Sequence, residues 1–190
     1  LEPLAAAVRM HPNYRQSFDT LPTAFEMIDL DCLIVDQQHV TQTFVDRIAA
    51  RVQAWPDLHS VFDLCMPLDE PEAPVKIRKI GSRRWTFSSC SMDFRFHEAA
   101  LWRPEQTIGY ESFGSISGIV GLVVGFGSNF LNAVRVGPRV MLNNGYHRAV
   151  AMRAAGITHA PCIVQTASRV DELEISVKTR VADDPEFYFE

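Results

Sequence analysis

The segment from Arg139 to Gln165 places the tightest limits on how this chain can fold. It reads RVMLNNGYHRAVAMRAAGITHAPCIVQ: an apolar run typical of a strand, a glycine, an alanine-rich stretch typical of a helix, a second glycine and a Pro-led apolar run. The second glycine, Gly156, stands where helices commonly end, because the left-handed backbone at that position suits glycine. The order strand, turn, helix, strand predicts a sheet backed by helices.

Further helices and strands are predicted upstream of that segment. Met27 to Val35 becomes continuously apolar at its end and predicts a buried strand. Thr41 to Trp55 has apolar residues at helical spacing, and Pro56 ends that helix. Hairpins are predicted at Gly81-Ser82 and at Gly137-Pro138, because each pair interrupts two runs with strand character.

These elements predict an α+β fold, with a small mixed sheet, packed helices and a large β-rich insertion. The length of 190 residues fits a single domain. We expect its core to cover about residues 26–55 and 130–178, with a last helix over Val170 to Val177. The insertion is expected over about residues 56–129.

Charge and composition limit the partners and the compartment. The chain has a net charge of −5 and a pI of about 5.7, so it does not resemble a protein whose affinity depends wholly on unspecific DNA contacts. Its N-terminus has no basic start followed by an apolar core, which predicts a cytoplasmic protein and leaves a peripheral position at the inner membrane open. Four scattered cysteines without a Cys-x-x-Cys pair predict buried or incidental thiols.

One uncharged stretch, Ser112 to Val134, is long enough to cross a bilayer. It contains five glycines, which disfavour a helix. We therefore expect a buried strand and loop beneath the core in this region.

The turn Asn143-Asn144-Gly145-Tyr146-His147-Arg148 is the candidate functional site. The first N–H groups of a helix have no partner within it, and the helix dipole adds positive charge there. A glycine lets an anion approach the backbone, and an arginine fork grips two phosphate oxygens. The pattern predicts an anion-binding corner, although such turns also occur for purely structural reasons.

The run around this turn resembles the ParB/sulfiredoxin superfamily, in which a strand, a Gly-x-His-Arg turn, an alanine-rich helix and a Pro-led strand follow in this order. In that superfamily the turn holds nucleotide phosphates. The resemblance implies that ATP or ADP is bound by Asn144, Gly145, Tyr146, His147 and Arg148. The upstream DLDCLIVDQQHVTQTFVDRIAARV resembles the opening strand, polar turn and helix of the family, and implies that the phosphates are near Asp36, Gln37, Gln38 and His39.

One departure from the sulfiredoxin pattern narrows the range of reactions expected of this chain. Sulfiredoxins carry a reactive cysteine in this turn, where the present chain has Tyr146, so sulfinic-acid reduction is not expected. An anion-binding corner without a thiol favours phosphoryl chemistry with ATP and Mg²⁺. The candidate catalytic residues are Asp36, His39, His147 and Arg148, and Asp36 is also the candidate magnesium ligand.

The first functional hypothesis is ATP hydrolysis, alone or coupled to nuclease activity or to inhibition of a plasmid transfer or secretion process. A compact fertility-inhibition (oncogenic suppression) protein of the superfamily is a plausible relative. Two alternatives stay open: a non-catalytic, nucleotide-gated regulator that binds DNA or protein, and a small-metabolite kinase.

A basic cluster on the first hairpin suggests a further partner. The cluster alternates with apolar Ile77, Ile80 and Trp85, so one face is suited to a phosphate backbone. The candidate DNA-binding residues are Lys76, Arg78, Lys79, Arg83 and Arg84. A solvated hairpin face is the alternative. A protein of a transfer or secretion machinery and a second copy of the chain are the other partners left open.

Overall fold

The structure is a computed structural model that describes residues 2–54, 57–68, 73–91, 94–106, 114–169, 172, 181 and 183–189. It divides the chain into two units, the first formed by residues 1–70 and 128–190 and the second by residues 71–127. The prediction of an α+β fold is confirmed, because helices and small sheets of mixed topology make up the described chain. None of the described helices combines the length and the apolar character that crossing a bilayer requires.

The first unit contains the helices and a five-stranded sheet. Its helices are α1 (Glu2–Met10), α2 (Pro12–Ser17), α3 (Gln42–Ala54), α4 (Leu58–Cys65), α5 (Tyr146–Ala154) and α6 (Pro185–Phe189). Its strands are β1 (Thr23–Asp29), β2 (Leu33–Ile34), β7 (Asn132–Val136), β8 (Arg139–Asn144) and β9 (His159–Ala167).

The sheet of the first unit has the order β1-β9-β7-β8-β2. β9 pairs antiparallel with β1 and parallel with β7, and β8 pairs antiparallel with β7 and parallel with β2. β2 and β8 are therefore neighbours that run in the same direction. Each is followed by a helix, α3 after β2 and α5 after β8, so both helices begin at the same edge of the sheet.

Two apolar clusters hold the first unit together. The larger one joins the helices to the sheet, and its fully buried members include Phe130, Leu131 and Ile163. The smaller one places Val181, Tyr188 and Phe189 against Val134, Met141 and Ala167. Of the aromatic residues in α6, Tyr188 and Phe189 are therefore packed, whereas Phe187 is 77% exposed.

Most of the helices and strands predicted from local sequence signals are present in the structure. α3, the hairpin β7–β8 and α5 with its terminal Gly156 at φ +84° are confirmed. The single strand expected over Met27 to Val35 is wrong, because β1 ends at Asp29 and a turn separates it from β2. The Asp29 carboxylate accepts the N–H of Asp31 at 3.0 Å and thereby stabilises that turn. The helix expected over Val170 to Val177 lies outside the described residues.

The second unit consists of two-stranded sheets. The hairpin of β3 (Lys76–Gly81) and β4 (Arg84–Ser88) confirms the first predicted turn. β5 (Phe94–Trp102) pairs antiparallel with β6 (Ile119–Phe126), and a 3₁₀ turn follows β5 at Pro104–Gln106.

The expectation that the uncharged stretch lies beneath the core is confirmed for residues 130–134, which are buried in the first unit. It is wrong for β6, which belongs to the second unit and pairs with β5 there. Its glycines make room for side chains of β5. A Cβ at Gly121 would lie 2.6 Å from the ring of Trp102, and one at Gly125 would lie 3.2 Å from His97. Neighbours within the hairpin therefore account for glycine at both positions.

Helix α4 is capped at its start by Asp57. The carboxylate accepts the N–H groups of His59 and Ser60 at 2.9 and 3.0 Å and the Ser60 hydroxyl at 2.7 Å. The Ser60 hydroxyl and these amides stabilise the carboxylate and lower the pKa of Asp57. The helix start is therefore linked to the charge of one side chain.

We expect Asp57→Ala to destabilise the protein most at neutral pH and progressively less in acid. The folded pKa of Asp57 lies below its unfolded value, so its charge-dependent contribution is complete above the unfolded pKa and disappears as the pH falls through the folded pKa. Thermal unfolding of both proteins from about pH 7 to about pH 3 measures this difference. A difference that stays constant over this range would contradict the assignment.

Candidate functional site

The candidate site lies where β2 and β8 end and where α3 and α5 begin. The carbonyl of Thr41 accepts the N–H groups of Phe44 and Val45, so Thr41 caps the start of α3. Its own N–H donates to Nε2 of His147, in the first turn of α5, at 3.0 Å. The rings of Phe44 and His147 meet edge to face with their centroids 5.1 Å apart. The two helix starts are thus in direct contact.

This contact determines which nitrogen of the neutral His147 ring carries the proton. A ring nitrogen that accepts a hydrogen bond carries no proton, so the proton of the neutral imidazole is assigned to Nδ1. The first turns of two helices bring their N–H groups and their positive dipole ends to one corner. Such a corner is suited to negative charge.

Tyr146 joins the loop after β2 to the start of α5. Its side chain is buried, and its hydroxyl is bonded to the Asp36 carboxylate and, at 2.7 Å, to the carbonyl of Leu142. Burial raises the pKa of Tyr146, and the neighbouring Asp36 raises it further. The hydroxyl therefore stays protonated and holds Asp36 within the corner. The structure thus brings the side chains of Asp36 and Tyr146 together.

The space beside Gly145 is occupied by a buried side chain, whereas the sequence predicts a bound anion there. Its φ is +102°, a conformation that favours glycine. A Cβ at this position would lie 2.2 Å from Cδ1 of Leu131, which is fully buried. The sequence interpretation assigns the space beside this glycine to a phosphate. In the structure, the side chain of Leu131 fills it.

Arg148 points into the protein. It is 7% exposed, and its Nη1 donates to the carbonyls of Leu64 and Cys65 at 3.2 Å and of Asn129 at 2.7 Å. Leu64 and Cys65 are the last residues of α4, where carbonyls lack helical partners and the dipole is negative. The guanidinium therefore stabilises the end of α4 in this conformation and does not form the external phosphate fork expected from the sequence.

The sequence contained a signal for this placement. Ala149 and Met152 are buried, and Arg148 lies next to the former and four residues from the latter. Residues four apart share one face of a helix. Helical spacing alone thus places Arg148 on the buried face. Leu131 and the carbonyl of Asn129 were missed altogether, because no local pattern predicts their long-range contacts.

Asn144 holds the loop that precedes β7. Its Nδ2 donates to the carbonyls of Ser128 at 3.1 Å and Phe130 at 3.3 Å. The resemblance implied that Asn144 binds the nucleotide. In the structure its side-chain amide instead holds the backbone that leads to Leu131.

The loop between β2 and α3 carries the remaining candidates. Gln37 Nε2 donates to the carbonyl of His39 at 2.7 Å, and Gln38 and His39 are exposed. Among the described residues no group of three or more His, Cys, Asp or Glu side chains is positioned to hold a metal. Asp36 could contribute a carboxylate here, and a single carboxylate fits Mg²⁺ only when phosphates and water supply the other ligands.

The cysteine nearest to Arg148 is not suited to nucleophilic chemistry. Burial raises the pKa of Cys65 to about 12, and burial also raises the pKa of Cys162. Thiols with such pKa values stay protonated near neutral pH and are inert. These two cysteines therefore act as apolar core residues.

The residues predicted to bind DNA lie together in the second unit. All of them are on the hairpin β3–β4 or in its turn, and all are exposed: Lys76, Arg78, Lys79, Arg83 and Arg84. The nitrogen of Lys79 lies 5.6 Å from the centre of the Trp85 ring, within cation–π distance.

The fold and the corner define an α+β protein in which two helices begin side by side at one edge of a mixed sheet. No protein-family model, curated protein or solved structure matches the chain. The ParB/sulfiredoxin resemblance therefore rests on the residues that carry it, from Asp29 to Val52 and from Arg139 to Gln165.

Proposed function

We propose that the first unit binds a nucleotide by its phosphates at the corner where α3 and α5 begin, and that it acts as a nucleotide-gated regulator. The observation that carries this proposal is the contact between the Thr41 N–H and the His147 ring. It supports the proposal because it joins two positive helix ends, and a phosphate bound there gains from both.

The ligand would be held mainly by backbone groups of the two first turns and by His147. Gln38 and His39 are exposed in the adjoining loop and are the side chains available to contact the rest of the nucleotide. Arg148 and Leu131 take the supporting role, because one secures the end of α4 and the other fills the space beside Gly145.

The nucleotide would act as a gate because the corner is formed by two segments, the loop before α3 and the start of α5. The loop from Asp36 to Thr41 is connected to α5 through the Tyr146 hydroxyl and the His147 ring. A phosphate that contacts both helix starts favours the conformation in which loop and helix are joined. A partner that reads the loop would then respond to the nucleotide.

Phosphoryl transfer is a second candidate function, and the position of Asp36 favours it. Its carboxylate is bonded to the hydroxyl of Tyr146, which precedes His147 in the first turn of α5. Phosphoryl transfer needs mainly positioning and charge neutralisation, and Asp36 would hold Mg²⁺ together with the phosphates or orient the attacking group.

Calorimetric titration with ATP, ADP and inorganic phosphate, each with Mg²⁺, tests binding. We expect ATP or ADP to bind, and His147→Ala to weaken binding about tenfold, because one hydrogen bond to a charged ligand and part of the corner geometry are lost. His59→Ala is the matched control, since His59 is exposed and its ring pairs with Asp63 in an exposed helix contact. No heat with any ligand, or equal binding by the His147 variant, would contradict the proposal.

Phosphate release from ATP distinguishes the two candidate functions. A regulator binds ATP without release. Phosphate release that is at least about a hundredfold slower in Asp36→Asn identifies hydrolysis, because this variant removes the charge of the side chain and keeps its size. ADP that forms only with an added acceptor identifies a kinase.

A further inference from the structure

One face of the hairpin β3–β4 carries three cations, and the other carries Lys79 beside exposed apolar side chains. From Val75 to Cys90 the chain has five cationic residues and no acidic one, within a chain of net charge −5. Alternation along the paired strands places Lys76, Arg78 and Arg84 on one face. Ile77 and Trp85 lie on the opposite face, 63% and 55% exposed.

The hairpin β5–β6 of the same unit exposes an apolar face without charge. In its register Leu101 pairs with Val120, Ala99 with Leu122 and Phe96 with Val124, so these side chains share a face. Leu101, Val120 and Leu122 are 75%, 70% and 62% exposed. Exposed apolar surface of this continuity marks an interaction site, and a two-stranded sheet gains stability when such a face is covered.

We propose that the second unit docks on an anionic lipid bilayer. Only a partner that is both negatively charged and apolar accounts for both hairpins. The cationic face of β3–β4, with Lys76, Arg78 and Arg84, complements anionic headgroups. The apolar face of β5–β6 would contact the acyl boundary, as the apolar faces of interfacial segments do.

Nucleic acid accounts for only half of these observations. A phosphate backbone complements the cations, and aromatic rings stack on bases, but Leu101, Val120 and Leu122 have no counterpart in a polar polyanion. A second copy of the chain would have to bring one basic hairpin close to another or to pair it with a different surface. The bilayer is therefore the occupant that the charge and apolar patterns favour together.

Sedimentation of the full chain with vesicles tests this proposal. We expect binding to vesicles of mixed phosphatidylcholine and phosphatidylglycerol, and binding at least about tenfold weaker to phosphatidylcholine alone, because headgroup charge contributes to the affinity. Replacing two cations by Arg78→Gln and Arg84→Gln should weaken binding roughly thirtyfold, as each surface cation contributes about fivefold.

A second variant tests the apolar contribution. Leu101→Ser with Leu122→Ser should weaken vesicle binding at least about tenfold, because two leucines leave the acyl boundary. The matched control is Arg15→Gln with Arg51→Gln, which removes the same charge from exposed positions of the first unit and should change binding less than about twofold. Circular dichroism checks that each variant keeps its secondary structure.

Three results would overturn the proposal. One is equal binding to both kinds of vesicle, and another is vesicle binding that neither variant weakens. The third is absence of vesicle binding, whether the chain instead binds single-stranded or plasmid DNA, self-associates, or does neither. The proposal does not depend on the nucleotide site, because the vesicles contain no nucleotide and the arginine and leucine variants of the two hairpins lie outside the first unit.

Discussion

Arg148→Ala is expected to lower the free energy of unfolding by about 3 to 4 kcal/mol, the largest effect of any single substitution argued for this protein. The guanidinium donates to three carbonyls and is 7% exposed. Its removal leaves acceptors at the end of α4 and at Asn129 without this donor, and a cavity beside them. Urea unfolding at neutral pH measures the loss.

Two controls separate this effect from a change in surface charge. Arg51→Ala removes an exposed arginine of α3 and should change the free energy of unfolding by less than about 0.5 kcal/mol. Arg148→Lys keeps the charge but lacks the planar fork, so it should recover only part of the stability. A loss below about 1 kcal/mol for Arg148→Ala would show that the carbonyl contacts are not significant in solution.

The expected instability of the Arg148 variant affects how the nucleotide site is tested. A phosphate-binding arginine, when removed, weakens binding and leaves folding intact. A buried arginine bound to carbonyls, when removed, weakens folding and thereby every activity. His147 is therefore the informative position, because it is half-buried at the corner and contacts the start of α3.

The sequence of α5 predicts the extent of the helix but not the direction of the Arg148 side chain. Its bounds and its terminal glycine could be predicted, because alanine-rich composition and a C-terminal glycine are local signals. The direction of Arg148 could not be read from the motif, because its partners are carbonyls of residues 64, 65 and 129. Every residue type has a backbone carbonyl, so the sequence does not show which carbonyls will accept a hydrogen bond. Only the helical spacing within α5 indicated that Arg148 lies on the buried face.

A similar distinction applies to the stretch before β7. Its apolar character and its five glycines predicted a strand, but they did not reveal the partner strand. β6 pairs with β5, and Gly121 and Gly125 make room for Trp102 and His97. Such complementarity between a glycine and a distant ring depends on the register, which hydropathy does not encode. The same register creates the apolar face that Leu101 and Leu122 share.

Gly145→Ala is the second substitution with a large expected effect, about 3 kcal/mol of lost stability. The residue has φ +102°, and the new Cβ would lie 2.2 Å from Cδ1 of Leu131. The left-handed backbone costs a side chain about 1 to 2 kcal/mol, and overpacking of a buried neighbour adds about as much again. Urea unfolding measures the total.

Gly137 offers a matched control, because it also has a positive φ, +55°, but nothing within 4 Å of a Cβ. Gly137→Ala should therefore lose only the backbone part, about 1 to 2 kcal/mol. The clash itself is isolated by combining Gly145→Ala with Leu131→Ala. Because the single variants share one contact, the double variant should be at least about 1 kcal/mol more stable than the sum of their losses predicts. Strict additivity would show that Leu131 does not occupy the space beside this glycine, and that space would then be open to a phosphate.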